Sequence, residues 1–292
     1  MGSNKTSKVL SCIVGGGFLL FLLIFLASLY IAREGPGAGK VGLINLEGVI
    51  LDSKEPLEQI EKYQKNQAIK ALVIRINSPG GGVAAAQEIY EELQRTKSRH
   101  RKPIVASMGS LAASGGYYIA CGSDRIFANP GSITGSIGVI MQLSNISGLL
   151  EKVGVKSVTI KSGEHKDMGS MTRDLSPEDR MIFQGVLDDV RDQFIDVVAK
   201  SRRMDKEKVR EIADGRIFTG RQAIGLGLVD ELGNLSDAVN YAAQVGGIKG
   251  KARVIEERKK KFSFLDLLGS KIFSSPSPDG GWPVFVLQYL MR

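Results

Sequence analysis

Two short apolar runs, Ala71-Leu-Val-Ile-Arg-Ile76 and Pro103-Ile-Val-Ala-Ser-Met108, each end in a glycine-rich turn that opens a helix-forming stretch. That alternation restricts the chain to a layered α/β core, because parallel strands need helical crossovers to return along the sheet. The pattern predicts strands at Val41–Ile50, Ala71–Ile76, Pro103–Met108, Arg125–Ala128, Ile133–Val139 and Val158–Ile160. Between them it predicts helices at Glu55–Ala68, Val83–Lys97, Ser114–Cys121 and Ile146–Val153, then Asp205–Ala213, Gly220–Leu226 and Leu235–Val245. Ser176-Pro-Glu-Asp179 supplies an N-cap, a first-turn proline and two early acids, which open a long helix reaching about Arg203. The run Asn77-Ser-Pro-Gly-Gly-Gly82 reads as a turn.

The two ends differ from this core. Val9 to Ala32 is almost wholly apolar, roughly 24 residues against the ~20 needed to cross hydrocarbon, and predicts a transmembrane helix. It exceeds the apolar core of a cleaved signal peptide and no small-residue cleavage site closes it, so an uncleaved anchor is expected. Lys5 and Lys8 precede the run, which places residues 1–8 in the cytoplasm and the folded part outside it. Residues 9–32 are then the anchor, 33–40 a linker, 41–255 a catalytic domain and 256–292 a basic and apolar tail. The tail ends in Trp282-Pro-Val-Phe-Val-Leu-Gln-Tyr-Leu-Met291, too apolar to stay free in water. Phe285–Leu290 is expected to enter a substrate groove of its own or a neighbouring subunit as an extended strand.

The formal charge of +8 gathers in local patches such as Arg258-Lys-Lys-Lys261 and Arg202-Arg203, a distribution that suits a membrane surface. No nucleic-acid-binding motif accompanies it, so no nucleic acid is expected as a partner. Cys12 and Cys121 fall in separate regions and do not pair, and two cysteines with two histidines offer no metal-ligand spacing. No metal or other cofactor is expected.

The chemistry resides in Ala112-Ala-Ser114-Gly-Gly116 and Lys161-Ser-Gly-Glu-His-Lys166-Asp167. A nucleophilic serine is presented at a tight strand-to-helix turn, with small neighbours that let a carbonyl approach and a backbone N–H left for the oxyanion. Ser114 has that setting, and Lys166 is the candidate base. Its amine would have to be lowered from about 10.4 toward ~8 by desolvation or a cationic neighbour, a cost of roughly 3 kcal/mol. Asp167 would oppose this, so its carboxylate is expected to point elsewhere. Gly81 and Gly115 are the candidate oxyanion-hole donors. Small residues also serve close helix packing and a lone lysine is ordinarily a solvated cation, so it is the combination that points to hydrolysis. His165 beside Lys166 leaves a second arrangement open, Ser114–His165–Asp167, whereas His100 lies in the charged stretch Ser98–Lys102 and is expected to be exposed.

Five segments in order resemble the short form of the signal peptide peptidase A family: Asn77–Gly82, Met108–Ala120, Gly131–Val139, Ser162–Asp167 and Gly215–Gly220. The resemblance implies the layered fold of ββα units shared by crotonases and the caseinolytic protease. It implies Ser114 as nucleophile, Lys166 as general base and Ser136 as the hydroxyl that holds the lysine amine. It further implies a homo-oligomeric ring, anchored by a single pass in the inner or plasma membrane lipid with its catalytic domain extracytoplasmic. Such a ring would cut signal peptide remnants and similar apolar peptides. Two other readings share the fold, an acyl-CoA enzyme and a catalytically silent membrane scaffold.

Overall fold

A computed structural model of the chain describes residues 17, 20–26, 28, 39–257 and 288–290. Strand β1 (Lys40–Glu47) lies parallel to β2 (Ile69–Ser78), and β2 parallel to β4 (Ile104–Ala113). These three central strands carry side chains buried on both faces, as their unbroken apolar runs require. Ile44, Leu46, Leu72, Ile74, Ile76, Ile104 and Met108 point into one core, under helices α1 (Lys54–Lys65), α2 (Val83–His100), α3 (Gly115–Ala120) and α5 (Pro177–Arg202). The alternate residues Val41, Leu43, Ala71, Val73 and Val105 meet α8 (Leu235–Val245) on the opposite face. The sheet is the middle of three layers.

Strand β4 divides the sheet. Its first half, Val105–Ser107, pairs with β5 (Arg125–Ala128), while its second half, Leu111–Ala113, pairs with β6 (Ile133–Gly135). β6 pairs antiparallel with β7 (Ile217–Thr219), β5 runs parallel to β8 (Glu231–Leu232), and β9 (Arg253–Glu256) closes the far edge against β1. Helix α4 (Ser147–Lys152) lies after β6, with α6 (Lys206–Ile212) and α7 (Gly220–Gly225) between α5 and β8. Helix α5 starts as its sequence predicts: Asp179 N–H donates to the Ser176 hydroxyl at 3.0 Å, with Pro177 in the first turn.

Three expectations require correction. Asn77–Gly82 is not a plain turn: β2 continues through Ser78, and Gly80–Gly82 forms a separate strand, β3, bridged to Ile50. The strand expected over Ile133–Val139 stops at Gly135, because Gly135 (φ 81°) and Ser136 (φ 52°) are successive left-handed residues that break the pleat. Val158–Ile160 forms no strand. Among the described residues it pairs with no strand, and Val158 is 84% and Ile160 97% exposed. Most of the expected transmembrane helix, residues 9–32, lies outside the described residues; residues 20–26 are helical with their apolar side chains exposed. Among the described residues no helix is long and apolar enough to cross a membrane.

Candidate active site

Ser114 follows β4 and caps α3, at the end of the sheet where the parallel strands deliver their C-termini. Its backbone adopts φ 54°, ψ −118°, a conformation a non-glycine residue enters only at a cost, and such strain concentrates at functional sites. Two hydrogen bonds hold it there: Ser114 N–H donates to the Gly135 carbonyl at 2.8 Å, and the Tyr118 N–H donates to the Ser114 carbonyl at 2.9 Å. The side chain is buried, yet its Oγ has no hydrogen-bond partner. A buried hydroxyl left unpaired costs about 1–3 kcal/mol, and among the described residues nothing pairs with this one.

The bond to Gly135 places the next residue, Ser136, beside the Ser114 turn. Ser136 is buried and its N–H donates to the Arg216 carbonyl at 2.8 Å. The turn is braced from below, since the Thr134 hydroxyl donates to the Ala112 carbonyl at 2.7 Å. Gly115 is the first residue of α3, whose leading N–H groups have no intrahelical acceptor.

Strand β3 forms the other wall, and Gly116 packs close enough to Ser78 that a Cβ on the glycine would stand 3.2 Å from the Ser78 carbonyl oxygen. Ile50 N–H donates to the Gly80 carbonyl at 2.9 Å and the Gly82 N–H donates to the Ile50 carbonyl at 2.8 Å. Because polar groups alternate along a strand, the Gly81 N–H and C=O point to the opposite edge. Along that edge runs β10 (Gln288–Leu290), antiparallel, with Tyr289 opposite Gly81. Part of the tail expected to fill a groove thus lies on the strand that carries a candidate oxyanion donor; residues 258–287 lie outside the described residues.

Lys166 makes no hydrogen bond to the Ser114 hydroxyl. It sits in the irregular segment between α4 and α5, its side chain exposed, while its N–H donates to the Gly163 carbonyl at 3.2 Å. Since Ser114 Oγ has no partner, neither the lysine dyad nor a histidine triad closes within one chain. Asp167 does point away from the lysine, as expected: its Oδ1 accepts from Lys161 Nζ and Arg173 Nη2, both at 2.9 Å. Those two cations, the Arg173 guanidinium first, hold its carboxyl well below the usual carboxylate range. Asp167 is therefore not available to orient His165, which instead approaches Asp179 (3.6 Å) and Glu178 (3.9 Å) on α5. His100 is exposed. Sequence reasoning missed Arg173 and β3; the glycine run was the signal that could have revealed the strand.

Comparison with known proteins adds a family to this geometry. The chain matches Peptidase family S49 over residues 96–249 and Clp protease over residues 52–132. It is 46% identical over 210 residues to a candidate protease of Synechocystis sp., covering 72% of this chain and 75% of that one. It is 40% identical over 254 residues to a candidate signal peptide peptidase A of Enterococcus faecium, covering 82% and 73%. With the chloroplastic serine protease SPPA of Arabidopsis thaliana it shares 34% over 242 residues, covering 82% of this chain and 36% of that one.

Proposed function

Because the chain belongs to peptidase family S49, and is a serine endopeptidase of the signal peptide peptidase A type with a Clp-protease-like α/β fold, we propose that Ser114 is its nucleophile and Lys166 its general base. The observation that carries this is the buried Ser114 hydroxyl, strained in its backbone and without a partner, beside a strand edge that takes an extended peptide. In the proposed reaction Ser114 Oγ attacks the scissile carbonyl carbon and its proton passes to Lys166 Nζ. The Gly81 and Gly115 N–H groups hold the oxyanion, and Lys166 returns the proton to the leaving amine. A water deprotonated by the same lysine then hydrolyses the acyl-enzyme. Ser136 accepts a hydrogen bond from the lysine amine and keeps it aimed at Oγ.

The lysine comes from a second copy of the chain. Supporting this are the open Ser114 hydroxyl, the exposed Lys166, and an apolar surface on α4 and the segment after it, where Leu149, Val153, Val155, Val158 and Ile160 face solvent. Packing a neighbour over that surface desolvates Lys166, which is the condition for a neutral amine. Repetition of this head-to-tail contact closes a ring. Residues 9–32 anchor the ring in a membrane by a single pass, with the catalytic domains on the extracytoplasmic side. Its substrates are signal peptide remnants and other apolar peptides, bound as an added strand on β3.

The test is covalent labelling of the full-length protein by a serine-directed phosphonate probe. Labelling at Ser114, lost in Ser114→Ala and strongly slowed in Lys166→Ala, is the expected result. A wild-type labelling rate in Lys166→Ala refutes the base assignment.

A further inference from the structure

The residue that follows Lys166 is an acid, and the acid is held by a guanidinium. Arg173 Nη2 donates to Asp167 Oδ1 at 2.9 Å, while Nη1 of the same side chain pairs with Asp179 Oδ2 at 2.7 Å. Asp179 is almost fully buried and stands in the first turn of α5, where its N–H is capped by Ser176. One planar fork thus joins the lysine segment, which has no regular structure, to the start of a 26-residue helix. The Asp179 contact is an ion pair rather than a hydrogen bond, and a lysine in this place would lack the fixed spacing of the fork, because its ammonium is a point charge. Nη1 also donates to the Asp174 carbonyl at 3.0 Å, closing the loop on itself.

The lysine segment contributes Lys161, Glu164, His165, Asp167, Arg173 and Asp174; α5 contributes Glu178 and Asp179; Asn145, from the segment before α4, holds the Asp174 carboxylate. Lys161 also donates to the Glu164 carbonyl. Asp167 and Asp179 are balanced by Lys161 and Arg173, so removing Arg173 leaves an excess negative charge one residue from the proposed base. A nearby carboxylate stabilises an ammonium and raises its proton affinity.

We propose that Arg173 is a positioning residue for Lys166: by clamping Asp167 to Asp179 it fixes the lysine segment on α5 and keeps the Asp167 carboxylate from stabilising the protonated amine. This rests on the reading of Lys166 as base. The sign follows from that role. A general base works unprotonated, so activity rises with pH, and loosening Asp167, which Lys161 alone then holds, moves that acid limb to higher pH.

The test measures kcat/KM against pH on an apolar fluorogenic peptide, using the full chain in its native assembly. Arg173→Ala is expected to shift the acid limb upward by about one pH unit and to lower activity near pH 7 by about tenfold. Asp167→Asn combined with Arg173→Ala is expected to bring the limb back toward wild type, although the tether is still missing. Arg173→Lys, which keeps the charge but loses the fork, guards against misfolding of the alanine variant: it is expected to keep the limb in place while lowering kcat. An unmoved limb in Arg173→Ala, or no recovery in the double variant, overturns the proposal and leaves Arg173 a structural tether alone. Lys166→Ala separates this from failure of the underlying reading: if it stays active with the wild-type limb, Lys166 is not the base, whereas an inactive Lys166→Ala with an unmoved limb in Arg173→Ala rejects only the clamp.

Discussion

Gly81→Ala places a methyl group where none fits. A Cβ built on Gly81 would stand 2.0 Å from the Ile50 carbonyl oxygen and 2.7 Å from both the Ile50 carbonyl carbon and nitrogen, all backbone atoms with no rotamer to change. To reach ordinary contact, β3 or the Ile50 segment must retreat by more than about 1 Å, a displacement that by itself can cost on the order of 100-fold when it misplaces a reacting group. The move also strains the two hydrogen bonds between Ile50 and β3, at 2.9 and 2.8 Å. Overpacking of this kind destabilises by about 1–3 kcal/mol, which a domain of this size survives. If Gly81 N–H is an oxyanion donor, kcat falls by about 100- to 1,000-fold. Gly82→Ala is the control, since its Cβ would meet nothing closer than 3.7 Å and its backbone (φ −58°, ψ 128°) accepts alanine. The assay is steady-state cleavage of an apolar fluorogenic peptide, with circular dichroism confirming that both variants fold. Equal kcat values for the two variants would refute the reasoning.

Two further predictions follow from the tail and the core. Deleting Gly281–Arg292 removes β10 from β3, and is expected to raise kcat/KM several-fold chiefly through a lower KM; unchanged kinetics would show that the tail does not compete with substrate. Burial pushes the Cys121 thiol up to about 11, so peptide mapping after alkylation at pH 8 should find Cys121 unmodified in the native protein and modified once it is unfolded. Because the fold favours the neutral thiol, its stabilising contribution is complete below the unfolded value of about 8.5 and is lost as pH rises toward 11. Rapid native alkylation of Cys121 would contradict its burial.

What the sequence revealed follows local physics. Runs such as Ala71–Ile76 are too short and too apolar to be anything but buried strands, and the Ser176-Pro177 pair announces a helix start through chemistry that acts within four residues. The Ser114 turn was legible because a tight strand-to-helix junction needs small residues on both sides. β3 was not, since three glycines have no strand propensity and only the tertiary approach of Ile50 orders them. β9 was hidden for a similar reason: Arg253–Glu256 is half charged and is held as a strand by pairing with β1. The segment Val158–Ile160 carries the residue types of a strand but pairs with none among the described residues. Arg173 gave no sign at all, because its two partners lie six residues away on either side and meet only once α5 is in place.

Mixing two inactive proteins tests the account most directly. Ser114→Ala retains the lysine and Lys166→Ala retains the serine, so neither homogeneous assembly has a complete dyad. If each site is built from two neighbouring chains, subunit exchange between the variants restores intact sites at about a quarter of the positions in a random ring. The account predicts that peptidase activity returns on mixing to about that fraction of wild type. Complete silence of the mixture, with exchange verified by differently labelled subunits, would contradict it.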